Sequence, residues 1–234
     1  MDNSRAVYAP SAERTAERVS AFLAKVYGWM CVGLGITAAV AFLVASSPAL
    51  IGALTGNRLV FFGLVVVELG LVFFLSARVQ SLAPSTAAGL FAAYAALNGV
   101  TLSVILLVYT GASIATTFVV TGAMFGALAF YGTTTKRSLA GVGQFFFMGL
   151  IGIVLASIVG LFWQSDALQF LITVVGVIVF TGLTAWDAQR LKQMALELPP
   201  AEAGSHAIVG ALSLYLNFVN LFLMLLRLQG GRRE

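Results

Sequence analysis

The chain has 234 residues, of which 60% are hydrophobic and 9% charged, and its mean hydropathy is +0.99. A soluble domain carries roughly 25% charged residues, so this inventory cannot cover a water-facing surface and the chain reads as an integral membrane protein. The net charge of +4 is small and scattered, which argues against a nucleic-acid surface; one cysteine, Cys31, excludes an internal disulfide, and one histidine, His206, excludes a histidine-rich metal site.

Residues 1–25 hold Arg5, Glu13, Arg14, Glu17, Arg18 and Lys25 and no short apolar core, so no cleavable signal is expected. Val19, Phe22, Leu23 and Val26 recur at helical spacing, which predicts a cytoplasmic amphipathic segment, 1–25, lying on the membrane and leading into the first span. A spanning helix needs about 20 mostly apolar residues. Seven stretches qualify: 26–46, 58–77, 85–109, 113–131, 145–163, 168–187 and 207–227. The fold class is therefore an all-α integral membrane protein, a seven-transmembrane-helix bundle occupying 26–234. Only the connections 46–57, 132–144 and 188–206 are long enough to carry much polar sequence.

Tyr27, Trp29, Tyr109, Tyr131, Trp163 and Trp186 fall at the predicted span ends, where amphipathic rings prefer the headgroup level. Gly122 and Gly126 form a GxxxG pair in the fourth span, which permits close helix approach. With the N-terminus cytoplasmic, the inner connections carry Arg78, Lys136, Arg137, Arg190 and Lys192, and the outer ones only Arg58. The C-terminus dissents, because seven spans leave Arg232 and Arg233 outside. Either the tail is an exception or one of the last two segments does not cross.

Two acids lie within the predicted spans, Glu68 and Asp187. A charge at the bilayer centre is costly, so such groups face a bundle interior or a wet cavity. Glu68 is mid-span and is read either as a structural hydrogen-bonding group or as part of an ion pathway. Arg78 lies ten residues on, nearly three turns along about the same face; it is either a snorkelling anchor or a partner. Asp187 falls where the sixth apolar run ends. It is either an interfacial acid paired with Arg190 at i+3 or a buried group whose partner lies elsewhere. An acid at a helix C-terminus meets the negative end of the dipole, which calls for compensation. The last span supplies a candidate: Gly210, Ser213, Asn217, Asn220, Met224 and Arg227 recur at three- and four-residue steps as one small and polar stripe. That stripe reads as a lined polar interior meeting Asp187.

Motifs that would signal catalysis are missing. There is no HExxH and no GxSxG, the single histidine is in a loop, only Asp187 could serve an intramembrane aspartyl protease, and no phosphate-binding glycine motif lies outside the spans. The expectation is a protein that is not an enzyme and that needs no cofactor.

The segment GLTAWDAQRLKQM, followed by ALSLYLNFVNLFLMLLRL, together with ELGLVFFLSAR, YGTTTKRSL and FFFMGLIGIVLASIVGLF, resembles the transmembrane Bax inhibitor motif family (Bax inhibitor-1-like proteins), most closely its bacterial inner-membrane members. The resemblance runs from the first span to the C-terminus. It implies a bundle with a central C-terminal helix and a pH-sensitive calcium leak, in which two aspartates share a proton near the cytoplasmic side and arginine contacts latch the closed pore. Asp187 matches the first aspartate, Arg227 the arginine ending the last helix, and Glu68 an acid that pairs with it. Arg78 falls at the latch arginine with a one-residue offset. The second aspartate is replaced: where the family reads SLYLDF, this chain reads SLYLNF, with Asn217. An Asp–Asn pair lacks the repulsion between two carboxylates that drives such a switch, so gating is expected to be weakened or shifted.

The proton-sensing and ion-pathway residues expected are thus Asp187, Asn217, Asn220 and Glu68, with Arg78 and Arg227 as latch. A tight Ca²⁺ site wants six to eight oxygens, so only weak, transient Ca²⁺ binding near Asp187 is expected. The expected partners are the lipid bilayer and a weakly held cation, with no nucleic acid, in a monomer. A competing reading is a membrane interaction protein that modulates a membrane protease or a stress or cell-death response. A proton-coupled solute transporter is a third.

Overall fold

The structure, a computed structural model, describes residues 12–79, 81–163, 165–199 and 202–233. Arg5 and the rest of the first eleven residues of the N-terminal segment lie outside them. The described chain forms α1 (Ala12–Ala45), α2 (Pro48–Gly56), α3 (Arg58–Arg78), α4 (Pro84–Leu102), α5 (Ile105–Val108), α6 (Gly111–Thr134), α7 (Ala140–Phe162), α8 (Asp166–Glu197) and α9 (Ala203–Gln229). Seven membrane crossings result, with α4 and α5 together making the third.

Local chemistry sets the breaks in an otherwise continuous apolar sequence. Pro48 and Pro84 open α2 and α4, where a missing N–H costs nothing. The side chains of Asn57, Thr110 and Ser165 accept hydrogen bonds from the amides of Leu59, Ser113 and Leu168 at the starts of α3, α6 and α8.

The last helix is the core. In the most apolar stretch of α9, 67% of residues are buried, against 11% in α3 and in α7. It packs against α1, α4, α6 and α8, around Val26, Phe91, Leu191, Leu214 and Tyr215. The outer faces carry Phe73, Phe145, Phe162 and Phe170 fully in view, as a surface solvated by hydrocarbon requires.

Two helices overrun the membrane. At 34 and 32 residues, α1 and α8 are about 51 and 48 Å long, against a hydrocarbon core of about 30 Å. Their overhangs meet: Arg18 Nη2 donates to the Leu198 carbonyl at 3.0 Å, at the C-terminal end of α8. The predicted lead-in is therefore no separate segment resting on the bilayer. It is the first part of one unbroken helix, and its apolar face, Phe22 and Val26, is buried against α8 and α9 instead of lipid.

The described residues of the α3–α4, α6–α7 and α8–α9 connections share this basic face. The tail lies at the opposite one: Arg233 N–H donates to the Val108 carbonyl at 2.9 Å, and Thr110 N–H donates to that of Gly231 at 3.1 Å. Seven crossings thus stand, and Arg232 and Arg233 are the exception to the charge bias. The predicted GxxxG contact is absent, because a Cβ on Gly122 or Gly126 would meet nothing within 4 Å. The tight glycine of α6 is Gly132, where a Cβ would run into the Ala185 carbonyl. Two of the predicted interfacial aromatics are also inside: Tyr109 is buried under the tail, and Trp186 packs against Gly143 with Arg190 5.4 Å above its ring.

Candidate functional site

Asp187 does not end a helix. Hydropathy falls at Asp187, Arg190 and Lys192, but α8 continues to Glu197, so the acid sits ten residues inside it and the dipole objection disappears. It is 5% exposed and faces α9. Asn217 Nδ2 donates to Asp187 Oδ2 at 2.8 Å, and Ser213 Oγ donates to the same oxygen at 3.0 Å. The i+3 pairing also exists, but weakly: Arg190 Nε is 3.9 Å from Oδ1 and its side chain is 43% exposed. Of the two alternatives for this residue, the buried group with partners on α9 is the one observed; the Arg190 contact is present, but at an acid that is not interfacial.

The segment around Asp187 is pinned from behind. Gln189 Oε1 accepts from the Leu139 amide at 2.7 Å, and Gln189 Nε2 donates to the Arg137 carbonyl at 2.8 Å. Lys192 Nζ donates to the Thr133 carbonyl at 2.6 Å, in the last turn of α6. The α6–α7 connection is thereby fastened to the turn of α8 that carries the acid.

A cavity of about 400 Å³ leads toward this site from the basic face. Ser76, Arg190, Met194 and His206 line it, and Ser213, the donor to Asp187, lies at its inner end with Leu216. Beyond Asn217 the seam is filled. Met224 packs on Gly176, and Phe180, Leu183 and Leu221 close the space around them. The seam is thus packed shut on the far side and bordered by an open cavity on the near side.

Glu68 belongs to a second cluster, on another face of α9. Thr101 Oγ1 donates to Glu68 Oε1 at 3.0 Å and Asn98 Nδ2 to Oε2 at 3.4 Å. The Tyr215 hydroxyl lies 3.1 Å from Asn98 Oδ1 and 2.6 Å from Thr37 Oγ1, which also donates to the Ala95 carbonyl at 2.8 Å. Tyrosine has one proton for two acceptors, so the chain of contacts has two arrangements. Sequence reasoning missed Thr37, Asn98, Thr101 and Tyr215, and also Gln189. The available signal was Asn98 and Thr101 three residues apart within an apolar span.

Three site expectations need correction. Asn220 does not reach Asp187; its Nδ2 donates to the Leu216 carbonyl of its own helix at 2.8 Å. Arg227 is exposed, and Glu68 is held by Thr101 and Asn98 of α4, so Arg227 does not pair with Glu68. Arg78 is exposed at the end of α3, beside cavity residues Ser76 and Val79, and does not contact Asp187. The pattern has a geometric cause. At 100° per residue, Gly210, Asn217 and Met224 fall on one edge of the α9 stripe, toward α8. A three-residue step turns back about 60°, which carries Asn220 and Arg227 to the other edge; Ser213 shares that edge but lies on the near side of Asn217, where it still reaches Asp187, whereas Asn220 and Arg227 lie beyond Asn217 along the axis.

A sequence profile of the family described as "Inhibitor of apoptosis-promoting Bax1" matches residues 19–234. The inner membrane protein YbhL of Escherichia coli strain K12 is 52% identical over 215 residues, covering 91% of this chain and 92% of that protein. A protein of Borreliella burgdorferi is 41% identical over 215 residues, covering 91% and 93%. One from Deinococcus radiodurans is 40% identical over 221 residues, covering 94% of each.

Proposed function

The chain belongs to the family of inhibitors of apoptosis-promoting Bax1, and from that membership we propose that it is a multi-pass inner-membrane protein, N-terminus cytoplasmic, that leaks cations, Ca²⁺ among them, under control of the proton on Asp187. The observation that carries this reading is the position of Asp187. A carboxyl is held by two neutral donors across the α8–α9 seam, at the inner end of a cavity that opens on the basic face. Water and ions reach Ser213 from that side, while Met224 on Gly176 blocks the far side.

A carboxylate accepts from both Ser213 and Asn217. A carboxylic acid carries its proton on one oxygen: on Oδ1 it takes the place of the attraction to Arg190 and leaves both contacts to Oδ2 standing, and on Oδ2 it makes one of the two partners turn, as the Asn217 amide does by rotating its oxygen inward. In either case the attraction to Arg190 is lost and the bonds across the α8–α9 seam, which is also the plug, are weakened, since a neutral carboxyl is a poorer acceptor than a carboxylate. Because Asn217 cannot ionise, the repulsion that would split two carboxylates is missing, and the pH response is shallower than that of an Asp–Asp pair. Cation binding is weak and transient, since one carboxylate, two side-chain oxygens and water fall short of a tight Ca²⁺ shell, and an ion that leaks must also leave. No catalytic step and no cofactor enters.

The test is Ca²⁺ flux into proteoliposomes across a pH series. Asp187→Asn is expected to flatten the pH profile, and Asn217→Asp to steepen it and move its midpoint toward neutral pH. A wild-type midpoint near neutrality that Asn217→Asp leaves in place would overturn the assignment.

The overhang of α1 and α8 favours a second reading. Thr15, Val19 and Leu23 of α1 with Lys192 and Leu196 of α8 border an open hollow outside the hydrocarbon, where a membrane protease or another partner could be engaged. Removing residues 1–17, which stops short of Arg18 and Phe22, separates the two. Loss of co-purifying protease with flux intact supports the interaction, and loss of neither dismisses it.

A further inference from the structure

We propose that the far end of the bundle binds one anionic glycerophospholipid, with an acyl chain in a side cavity between α1, α4, α6 and α9 and its phosphate on Arg232 and Arg233 of the C-terminal tail. The cavity measures about 240 Å³ and its wall is almost wholly carbon. Thr37 is the one polar side chain lining it, and its hydroxyl is already engaged by the Ala95 carbonyl and the Tyr215 hydroxyl. Nothing in the cavity is free to recognise an ion, a headgroup or a polar solute, so its chemistry selects an unadorned alkyl chain.

The mouth faces the side such a chain comes from. Phe42 and Phe118 are 67% and 47% exposed on the bundle's hydrocarbon surface, whereas Phe218 and Phe222 are buried behind them. The volume holds a stretch of chain and not a whole lipid, which leaves the headgroup at the membrane surface nearest the cavity.

That surface is where the tail is strapped. Ile105 and Leu106 of α5 line the cavity, and the chain reaches the far-face turn at Val108–Thr110 within one helical turn. Over this turn the tail is fixed by four contacts. Arg233 N–H donates to the Val108 carbonyl at 2.9 Å, and Arg233 Nε to the Tyr109 carbonyl at 3.1 Å. Thr110 N–H donates to the Gly231 carbonyl at 3.1 Å, and Gly231 N–H to Ser113 Oγ at 2.9 Å. A tail secured this closely has a fixed place for its charges. Arg232 and Arg233 remain exposed, and neither meets a carboxylate among the described residues.

Two arginines ordered on the face opposite the basic connections oppose the usual charge bias. A lipid phosphate accounts for them, because guanidinium pairs with it in bidentate fashion. The apolar cavity below and the cationic strap above are thus the two halves of one amphipathic site.

The experiment uses the full chain in nanodiscs containing either phosphatidylglycerol or phosphatidylcholine, each with the same mid-chain diazirine, photolysed and mapped by peptide mass spectrometry. Phosphatidylglycerol is expected to label the peptides bearing Phe118 and Phe222 well above those bearing Phe145 and Phe170, which are as exposed to lipid but far from the cavity. Its labelling there should exceed that of phosphatidylcholine about fivefold or more, the factor one arginine supplies beside an anionic lipid. Arg232→Gln with Arg233→Gln should lower it to the phosphatidylcholine level. Ala38→Trp, at the exposed mouth, should remove it for both lipids; Ala41→Leu narrows the same cavity from the protein side and serves if the tryptophan variant misfolds. Uniform labelling of all lipid-facing helices, equal labelling by the two lipids in the wild type, or labelling unmoved by filling the cavity overturns the proposal.

Discussion

Replacing Asn217 with leucine tests the seam directly. Leucine keeps the branching of asparagine and is the bulkier of the two, so the change opens no cavity; it removes the donor 2.8 Å from Asp187 Oδ2 and adds bulk that the Asn220→Leu control also adds. Hydrogen bonds to charged groups contribute about 1.5–3 kcal/mol in proteins generally. Polar pairs between membrane helices are weaker, averaging about 0.6 and reaching about 1.7 kcal/mol, because the dissociated helices find other partners. Asp187 is buried and keeps Ser213 at 3.0 Å and a distant Arg190, so the loss should lie at the upper end of the membrane range, about 1.5 kcal/mol. The assay is reversible unfolding in mixed detergent micelles, run as a cycle with Asp187→Asn and the double variant to isolate the pair term. Asn220→Leu is the control: Asn220 bonds only its own helix and should shift stability by no more than about 0.5 kcal/mol. A coupling between positions 187 and 217 below about 0.5 kcal/mol, the usual limit for independent sites, would refute the reasoning. So would an Asn220→Leu cost equal to that of Asn217→Leu.

Gln189→Ala should free the α6–α7 connection from α8: two hydrogen bonds at about 0.5–1.5 kcal/mol each predict faster amide exchange at Leu139 by roughly one to two orders of magnitude, read by mass spectrometry. Gly132→Val drives a side chain into the Ala185 carbonyl and should destabilise by about 1–3 kcal/mol or more, whereas Gly122→Ala, on an open face, should change stability by no more than about 0.5 kcal/mol; equal effects at the two glycines would contradict the packing described. Thr101→Val removes the 3.0 Å donor to Glu68 and should raise cysteine accessibility at a Glu68-adjacent reporter on α3, while any flux pH profile, which the proposed function assigns to Asp187, should stay in place.

The number of crossings was legible because composition alone dictates it: no stretch of about 20 apolar residues can hide in a chain this poor in charge. The ends of the crossings were not. Arg190 and Lys192 stop a hydropathy window, yet they sit on a helix that overruns the membrane, one stacked over Trp186 and the other capping α6. Asp187 therefore looked terminal when it is internal. The Asp187–Asn217 contact was readable, since a polar stripe on a buried helix needs something to face. The Glu68 cluster was not, because Thr37, Asn98, Thr101 and Tyr215 come from three helices and none sits in a polar run. Arg227 shares the α9 stripe by counting, but its edge of the helix points away from α8.

Asp187 is bonded directly to α9, whereas Glu68 is bonded to Asn98 and Thr101 of α4 and reaches α9 only through the Asn98–Tyr215 contact, and neither acid is held by a close ion pair. That choice of partners bears on what the protein can do. A tight buried salt bridge is expensive to break, by about 3–5 kcal/mol when one partner is removed, and would fix the central helix in one state. Neutral donors at 2.8 and 3.0 Å hold the Asp187 carboxyl against α9 in either protonation state. The helix they hold also carries Met224, which fills the far side of the seam against Gly176. Movement of α9 of the order of one side chain would therefore alter the Asp187 contacts and the plug together. Arg190, 43% exposed and 3.9 Å away, adds an attraction that water and salt can screen. The seam thus borders the near-side cavity, and on the proposed function a proton arriving there would act on the same helix that closes the other side.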